Sequence, residues 1–233
     1  MKNLEPRQDI TLKFIEEMSK RDIPREISVL VIGGSEKEPE LLAIQSIHEI
    51  SKITFAGIEE ISNQEWFYLD ANEPLIDTTN KFDLILCSQV LEHLWNLPQA
   101  FQNMTNLLNY KGLAWIACPA SNFLHGSPNF YSSGYDPEML QKLSSHVQLE
   151  TLASGYISNK RIYYFRHLLQ VWPSNDLARL PFITHFPIPG SLFHKICWQI
   201  ISLPERFCIS LASSKTKKDW RFQLETWALV QKP

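Results

Sequence analysis

Five short clusters in the chain carry side chains able to do chemistry. Gly33-Gly34-Ser35 follows the apolar run Ile27 to Ile32, and Glu59-Glu60 follows Lys52 to Ile58. Asp70-Ala71-Asn72 comes after Trp66 to Leu69, and Ser88 to His93 (SQVLEH) after Phe82 to Cys87. His125 sits in the long stretch PASNFLHGSPNFYSSGY. A glycine turn between a strand and a helix points backbone N–H groups and a helix N-terminus at a ligand. The same glycines serve equally well as a plain tight turn. An acidic residue at the tip of the next strand, roughly twenty residues on, can accept both hydroxyls of a ribose. The alternative for Glu59 is a solvated loop carboxylate. Histidine is the usual base where a hydroxyl must lose its proton, and His93 and His125 are the two best placed, although His93 can also serve only to orient its loop. Tyr131 and Tyr135 are placed to line an acceptor pocket, with ordinary aromatic packing as the alternative. His48, His146, His167, His185 and His194 have no metal-site spacing, so no metal is expected.

The elements that must position these clusters are legible from periodicity. Lys81 to Ala120 reads as strand, short loop, amphipathic helix and second strand. Phe82 to Cys87 and Leu113 to Cys118 are apolar runs of strand length, as in strands buried on both faces. Leu94, Leu97, Phe101, Met104 and Leu108 recur between them at helical spacing, with Pro98 in the first turn and Gly112 as the stop signal. Upstream, Asp9 to Lys20 predicts a helix capped by Asp9 and ended by Pro24. A helix opening at Pro39 follows the glycine turn. Downstream, Asp136-Pro137 starts a helix, Val147 to Leu152 is a sixth strand, and Arg221 to Val230 returns as a last strand, able to close the sheet antiparallel. This alternation predicts an α/β fold: a doubly wound, mostly parallel, seven-stranded sheet with an aromatic-rich insertion before the last strand. Such sheets bind ligands beyond the carboxyl ends of their strands. The first four clusters all fall at such ends.

Residues 1–233 read as a single domain, with residues 156–219 as an aromatic- and proline-rich insertion or cap within it. Ser191 to Ser202 in that insertion can form an amphipathic helix, and a surface docking an acceptor or a membrane face is the sharper reading of the segment. Net charge is −3 and the only basic cluster is Lys215, Lys217 and Lys218, so nucleic acid is not an implied partner. Cys87, Cys118, Cys197 and Cys208 lack metal-ligand spacing, which reads as a reduced, cytoplasmic protein. The N-terminus is too polar for a signal peptide, and no apolar run approaches the roughly 20 residues of a transmembrane helix.

FDLILCSQVLEHLWNLPQAFQNM, followed by LLNYKGLAWIACP, resembles the fourth strand, "EH" loop, helix and fifth strand of class I S-adenosylmethionine-dependent methyltransferases. The likeness is to the small-molecule group that includes ubiquinone- and glycan-modifying enzymes. LDANEPL resembles that family's adenine-contacting stretch, and HGSPNFYSSGYDPEMLQKL the continuation in sugar- and lipopolysaccharide-associated members. The resemblance spans roughly residues 28–152 and the last strand. It implies S-adenosylmethionine as cofactor and a small-molecule or glycan acceptor, including cell-surface polysaccharide. Carried over by position, Gly33, Gly34 and Ser35 form the turn under the methionine part. Glu59 takes the ribose hydroxyls, Asp70 and Ala71 edge the adenine, and Ser88 and Gln89 line the methionine carboxylate or the adenine's far side. The glycine motif departs from the family pattern: Val31 stands where an acid is usual, and Ser35 and Lys37 where further glycines are usual. Glu36 and Glu38 are candidates for a displaced carboxylate. The departure leaves a methyltransferase-like binding or scaffold protein as the alternative. A nucleotide-dependent oxidoreductase fits the glycine turn and strand-two acid, but lacks G-x-G-x-x-G.

Overall fold

The computed structural model describes residues 6–76, 79–122, 128–159, 163 and 220–233. In chain order the elements are α1 (Pro6–Met18), β1 (Glu26–Ile32), α2 (Pro39–Gln45), β2 (Glu49–Gly57), β3 (Trp66–Tyr68), β4 (Phe82–Ser88), α3 (Leu97–Leu107), β5 (Leu108–Pro119), α4 (Pro137–His146), β6 (Glu150–Ser158) and β7 (Gln223–Gln231). Short 3-10 turns occupy Leu91–His93 and Trp220–Phe222. The strands form one seven-stranded sheet in the order β3-β2-β1-β4-β5-β7-β6. β1 pairs in parallel with both β2 and β4, β2 with β3, and β4 with β5; β7 runs antiparallel to β5. The expected doubly wound sheet and its antiparallel closing strand are therefore present. Strand order reverses between β1 and β4, which is where such a sheet opens a crevice for ligands.

Alternation along the central strands explains why both faces are buried. Val29, Val31, Leu84, Leu86 and Trp115 face one layer with Ile10, Phe14 and Met18 of α1 and Leu41 and Ile44 of α2. Leu30, Ile32, Ile85, Cys87 and Ile116 face the other, with Phe101, Met104 and Leu107 of α3 and Leu140 and Leu143 of α4. In the first layer Trp115 stacks on Trp227 at 5.2 Å and meets Phe14 edge-on at 5.3 Å. Burial of side chains this size supplies roughly 1.5–3 kcal/mol each.

Three boundaries differ from the sequence expectation. α1 starts at Pro6 and ends at Met18, so Asp9 lies in its first turn and Pro24 lies beyond its end. α3 ends at Leu107, and Gly112 sits inside β5. A Cβ at Gly112 would meet the carbonyl oxygens of Asn109 at 2.9 Å and Phe82 at 3.0 Å, so the glycine serves a close backbone approach beside left-handed Lys111. Lysines finish α3 instead: Lys232 Nζ donates to the Thr105 and Leu108 carbonyls at 2.8 and 2.9 Å, and Lys81 Nζ to that of Asn106. β6 begins at Glu150 because Val147 to Leu149 are used in the turn closing α4, where their N–H groups donate to the Ser144 and Ser145 carbonyls.

The chain forms two compact units. One comprises Pro6–Ile157 with Glu225–Pro233, the other Met1–Glu5 with Ser158–Leu224. In the second, Asn159 N–H donates to the Phe222 carbonyl at 3.2 Å and Tyr163 meets Phe222 edge-on at 5.5 Å. The amphipathic helix expected over residues 191–202 lies outside the described residues, as does most of the 156–219 insertion.

Candidate active site

At the end of β1 the chain turns at Gly33, whose φ of 67° lies in the left-handed region, and Gly33 N–H donates to the Ala56 carbonyl at 2.8 Å. A Cβ there would sit 2.7 Å from Val90 Cγ2, so the turn and the loop after β4 are fitted to one another through the missing side chain. Gly34 is roofed differently. Its Cβ would collide with Glu38 Cγ at 2.7 Å and Val31 Cγ1 at 2.8 Å. Glu38 is held in place by Arg7 of α1, whose guanidinium bridges Glu38 at 2.8 Å and fully buried Glu40 at 2.9 Å. Burial pushes the Glu40 carboxyl up, opposed by Arg7. Glu36 accepts from Gln64 at 3.0 Å. Both candidate displaced carboxylates are thus engaged with protein partners.

β2 delivers Glu59, exposed, just past Gly57 and Ile58. After β3, Asp70 Oδ1 accepts from the backbone N–H of Asn72 at 2.9 Å and from its amide at 3.0 Å. Asn72 Oδ1 in turn accepts from the N–H groups of Trp95 at 2.9 Å and Asn96 at 3.1 Å. One asparagine thereby joins the loop after β3 to the approach of α3. After β4, Gln89 takes a left-handed φ of 58°, donates its N–H to the Ala117 carbonyl at 2.8 Å, and donates Nε2–H to buried Glu225 on β7 at 2.9 Å.

The segment Asn129–Tyr135 is tied to the 3-10 turn. Tyr131 N–H donates to the Glu92 carbonyl at 2.9 Å, and Tyr135 Oη–H to that of Leu91 at 3.4 Å. Burial pushes the Tyr135 phenol up. His93 Nδ1 lies 2.6 Å from the Asn129 carbonyl oxygen. A carbonyl only accepts, so Nδ1 carries the proton and Nε2 is the basic nitrogen. The carboxylate of Glu92, itself 1% exposed, lies 3.9 Å from Nε2.

These strand ends open into a single cleft of about 590 Å³, within the range of small-molecule sites. Gly33, Glu59, Asp70, Ala71, Gln89 and His93 all line it. So do Tyr131 and four residues not proposed as site residues from sequence, Val90, Leu94, Trp95 and Asn129. Gly34, Ser35 and Ser88 do not line it; Ser88 is a buried strand residue whose Oγ has no partner. His125 lies outside the described residues. Burial pushes the Cys87 thiol up to about 12 and that of Cys118 well above its usual range, so neither is a nucleophile. No metal-holding cluster occurs among the described residues, and none of their helices is long and apolar enough to cross a membrane.

Residues 56–116, from the end of β2 through β4 and α3 into β5, match the family described as a methyltransferase domain. A search of curated proteins by sequence finds no match. Among solved structures, the chain is similar to a protein from Galdieria sulphuraria described as a sarcosine dimethylglycine methyltransferase, with 13% identity, a TM-score of 0.58, and coverage of 96% of this chain and 85% of that one. It is similar to coclaurine N-methyltransferase bound to N-methylheliamine and SAH, with 13% identity, a TM-score of 0.53 and coverage of 100% and 75%. It is also similar to the O-methyltransferase of a Brevibacillus brevis trans-AT PKS multienzyme in complex with S-adenosyl-L-homocysteine, with 14% identity, a TM-score of 0.54 and coverage of 97% and 72%. The fold is that of the Rossmann-like methyltransferases. Within it, residues 56–116 carry the likeness to a methyltransferase domain.

Proposed function

We propose that the chain transfers a methyl group from S-adenosylmethionine to a small-molecule acceptor, with a glycan hydroxyl as the specific candidate. The observation that carries this reading is the single cleft uniting the ends of β1, β2, β3 and β4, with Glu59 and Asp70 in one wall and Gln89 and His93 in the other. The residues present fit the cofactor. Gly33 leaves room for close backbone approach, Glu59 is an exposed carboxylate suited to ribose hydroxyls, and Asp70 and Ala71 are held at the edge where a base would lie. When bound, the cofactor supplies an activated methyl group. The protein's part is to orient the acceptor and exclude water. Where the acceptor is a hydroxyl, His93 Nε2 takes the proton, with the Glu92 carboxylate 3.9 Å away. His125 is the second candidate for that role. The glycan acceptor rests on the sequence likeness of the HGSPNFYSSGY loop to sugar-associated methyltransferases. The buried free thiols Cys87 and Cys118 fit a reducing, cytoplasmic setting.

A second reading, a methyltransferase-like binding protein without turnover, is favoured by the glycine turn, where Glu38 is drawn over Gly34 by Arg7. Incubation with methyl-labelled S-adenosylmethionine and a panel of sugar, phenol and amine acceptors separates the two. Label in an acceptor, reduced at least tenfold in His93→Ala, supports transfer with His93 as base. Tight cofactor binding with no labelled product from any acceptor supports the second reading.

A further inference from the structure

Asn103 lies on α3, behind the cleft, and is 1% exposed within the layer that holds Ala100, Phe101, Met104 and Leu107. An amide in such a place has lost its water and must be matched by partners. Its Oδ1 accepts from the Leu75 N–H at 3.1 Å and from Gln99 Nε2 at 2.9 Å. Its Nδ2 donates to the Glu73 carbonyl at 2.8 Å and to the Ala71 carbonyl at 3.3 Å. Two donations and two acceptances satisfy the side chain completely. Three of the four bonds end on the backbone of residues 71–75, the segment directly following Asp70.

An apolar side chain would fill this layer of α3 without any of those bonds, so what the asparagine adds is the fixed position of a loop. We propose that Asn103 is a positioning residue for the nucleoside end of the cofactor. It holds Asp70, Ala71 and Asn72 at the cleft wall through the backbone just beyond them. This rests on the cofactor reading above. Asn72 extends the brace to the facing segment through the Trp95 and Asn96 N–H groups, and Asp70, Ala71, Asn72 and Trp95 all line the cleft.

The test compares the wild type with Asn103→Asp, Asn103→Ala and Gln99→Ala. Each is titrated calorimetrically with S-adenosylhomocysteine and with adenosine, and each is melted thermally to verify folding. Asn103→Asp keeps the size and the two acceptor roles of one oxygen but sets the second carboxylate oxygen against two carbonyls. Asn103→Ala removes all four bonds without burying a charge, which keeps the test decisive if the aspartate variant fails to fold. Both Asn103 variants are expected to lose roughly tenfold or more in affinity. The factor is the same for both ligands, because the displaced contacts are to the nucleoside. Asn103→Asp recovers between about pH 8 and about pH 5.5, as the introduced carboxyl gains a proton to donate, whereas Asn103→Ala does not. Gln99→Ala, which removes the one partner outside the loop, keeps wild-type affinity. Folded Asn103 variants that bind like the wild type overturn the proposal alone, as does a loss confined to S-adenosylhomocysteine. A wild type that binds neither ligand overturns the cofactor reading and this proposal with it.

Discussion

The turn after β1 and the segment after β4 pack against each other at the edge of one cleft, but they are held by different forces. Ile32 to Pro39 is fixed by charge brought from outside the sheet, with Arg7 of α1 clamping Glu38 and Glu40 at the start of α2. Ser88 to Leu97 is fixed mainly by neutral hydrogen bonds among Asn72, Asn96, Gln89 and the backbone carbonyls of Glu92 and Ala117, with one bond from the Gln89 amide to the Glu225 carboxylate. The family match covers the second region and begins only at residue 56. The methyltransferase-like part of the site is thus the part braced by amides. The part outside the match carries the Arg7–Glu38–Glu40 clamp.

The largest expected effect lies on the clamp. Arg7→Met leaves buried Glu40 without its cation and should cost about 3–5 kcal/mol in a denaturant titration; Glu40→Gln in the same chain should restore most of it. A loss under about 1 kcal/mol would mean that the turn does not depend on the pair. Next comes Gly33→Ala, which combines a left-handed residue, costing roughly 1–2 kcal/mol, with a clash of the new Cβ against Val90 at 2.7 Å. Cofactor affinity should fall by roughly tenfold or more, and Val90→Ala should recover part of it. On the other side of the cleft, Asn96 caps α3 by accepting from Gln99 N–H at 3.4 Å and donates to the Asn72 carbonyl at 3.0 Å. Asn96→Ala should cost about 1 kcal/mol in stability, a smaller loss than on the clamp.

The smallest effects concern acid. Asp83 joins β4 to β1 at the opposite ends of the strands, accepting from Ser28 N–H at 2.9 Å, Ser28 Oγ–H at 2.7 Å and Asn109 Nδ2 at 2.7 Å. Desolvation raises its pKa, but these bonds together outweigh it and hold the carboxyl below its usual value of 3.8. Its contribution to stability is present above that value and is lost as pH falls through the lower folded value. Glu40 has the opposite sign. Its folded value is raised above 4.5 by burial, so its protonation favours the fold, and that contribution is lost as pH rises through the raised value. Melting temperature against pH for the wild type, Asp83→Asn and Glu40→Gln should therefore show slopes changed in opposite directions. Parallel curves would contradict the assignment.

The sheet was legible because Ile27 to Ile32, Phe82 to Cys87 and Leu113 to Cys118 are apolar runs with no other use. The strand-end rule then located Gly33, Glu59, Asp70, Gln89 and His93 at the cleft. What was not legible depends on partners distant in the chain. Gly112 reads as a helix stop until the Phe82 carbonyl is seen beside it, and Glu225 reads as one more strand residue until Gln89, 136 positions away, donates to it. Asn103 did leave a trace, since a polar residue three after Ala100 and four before Leu107 breaks an apolar row. Its meaning lies in the backbone of residues 71–75, which periodicity does not reveal.

Calorimetric titration of the whole chain with S-adenosylmethionine, beside Glu59→Ala, tests the central claim most directly. Saturable binding at one site by the wild type, weakened roughly tenfold or more by the loss of the Glu59 carboxylate, is the predicted result. No saturable binding by a folded wild type, or equal binding by both proteins, would contradict the site described.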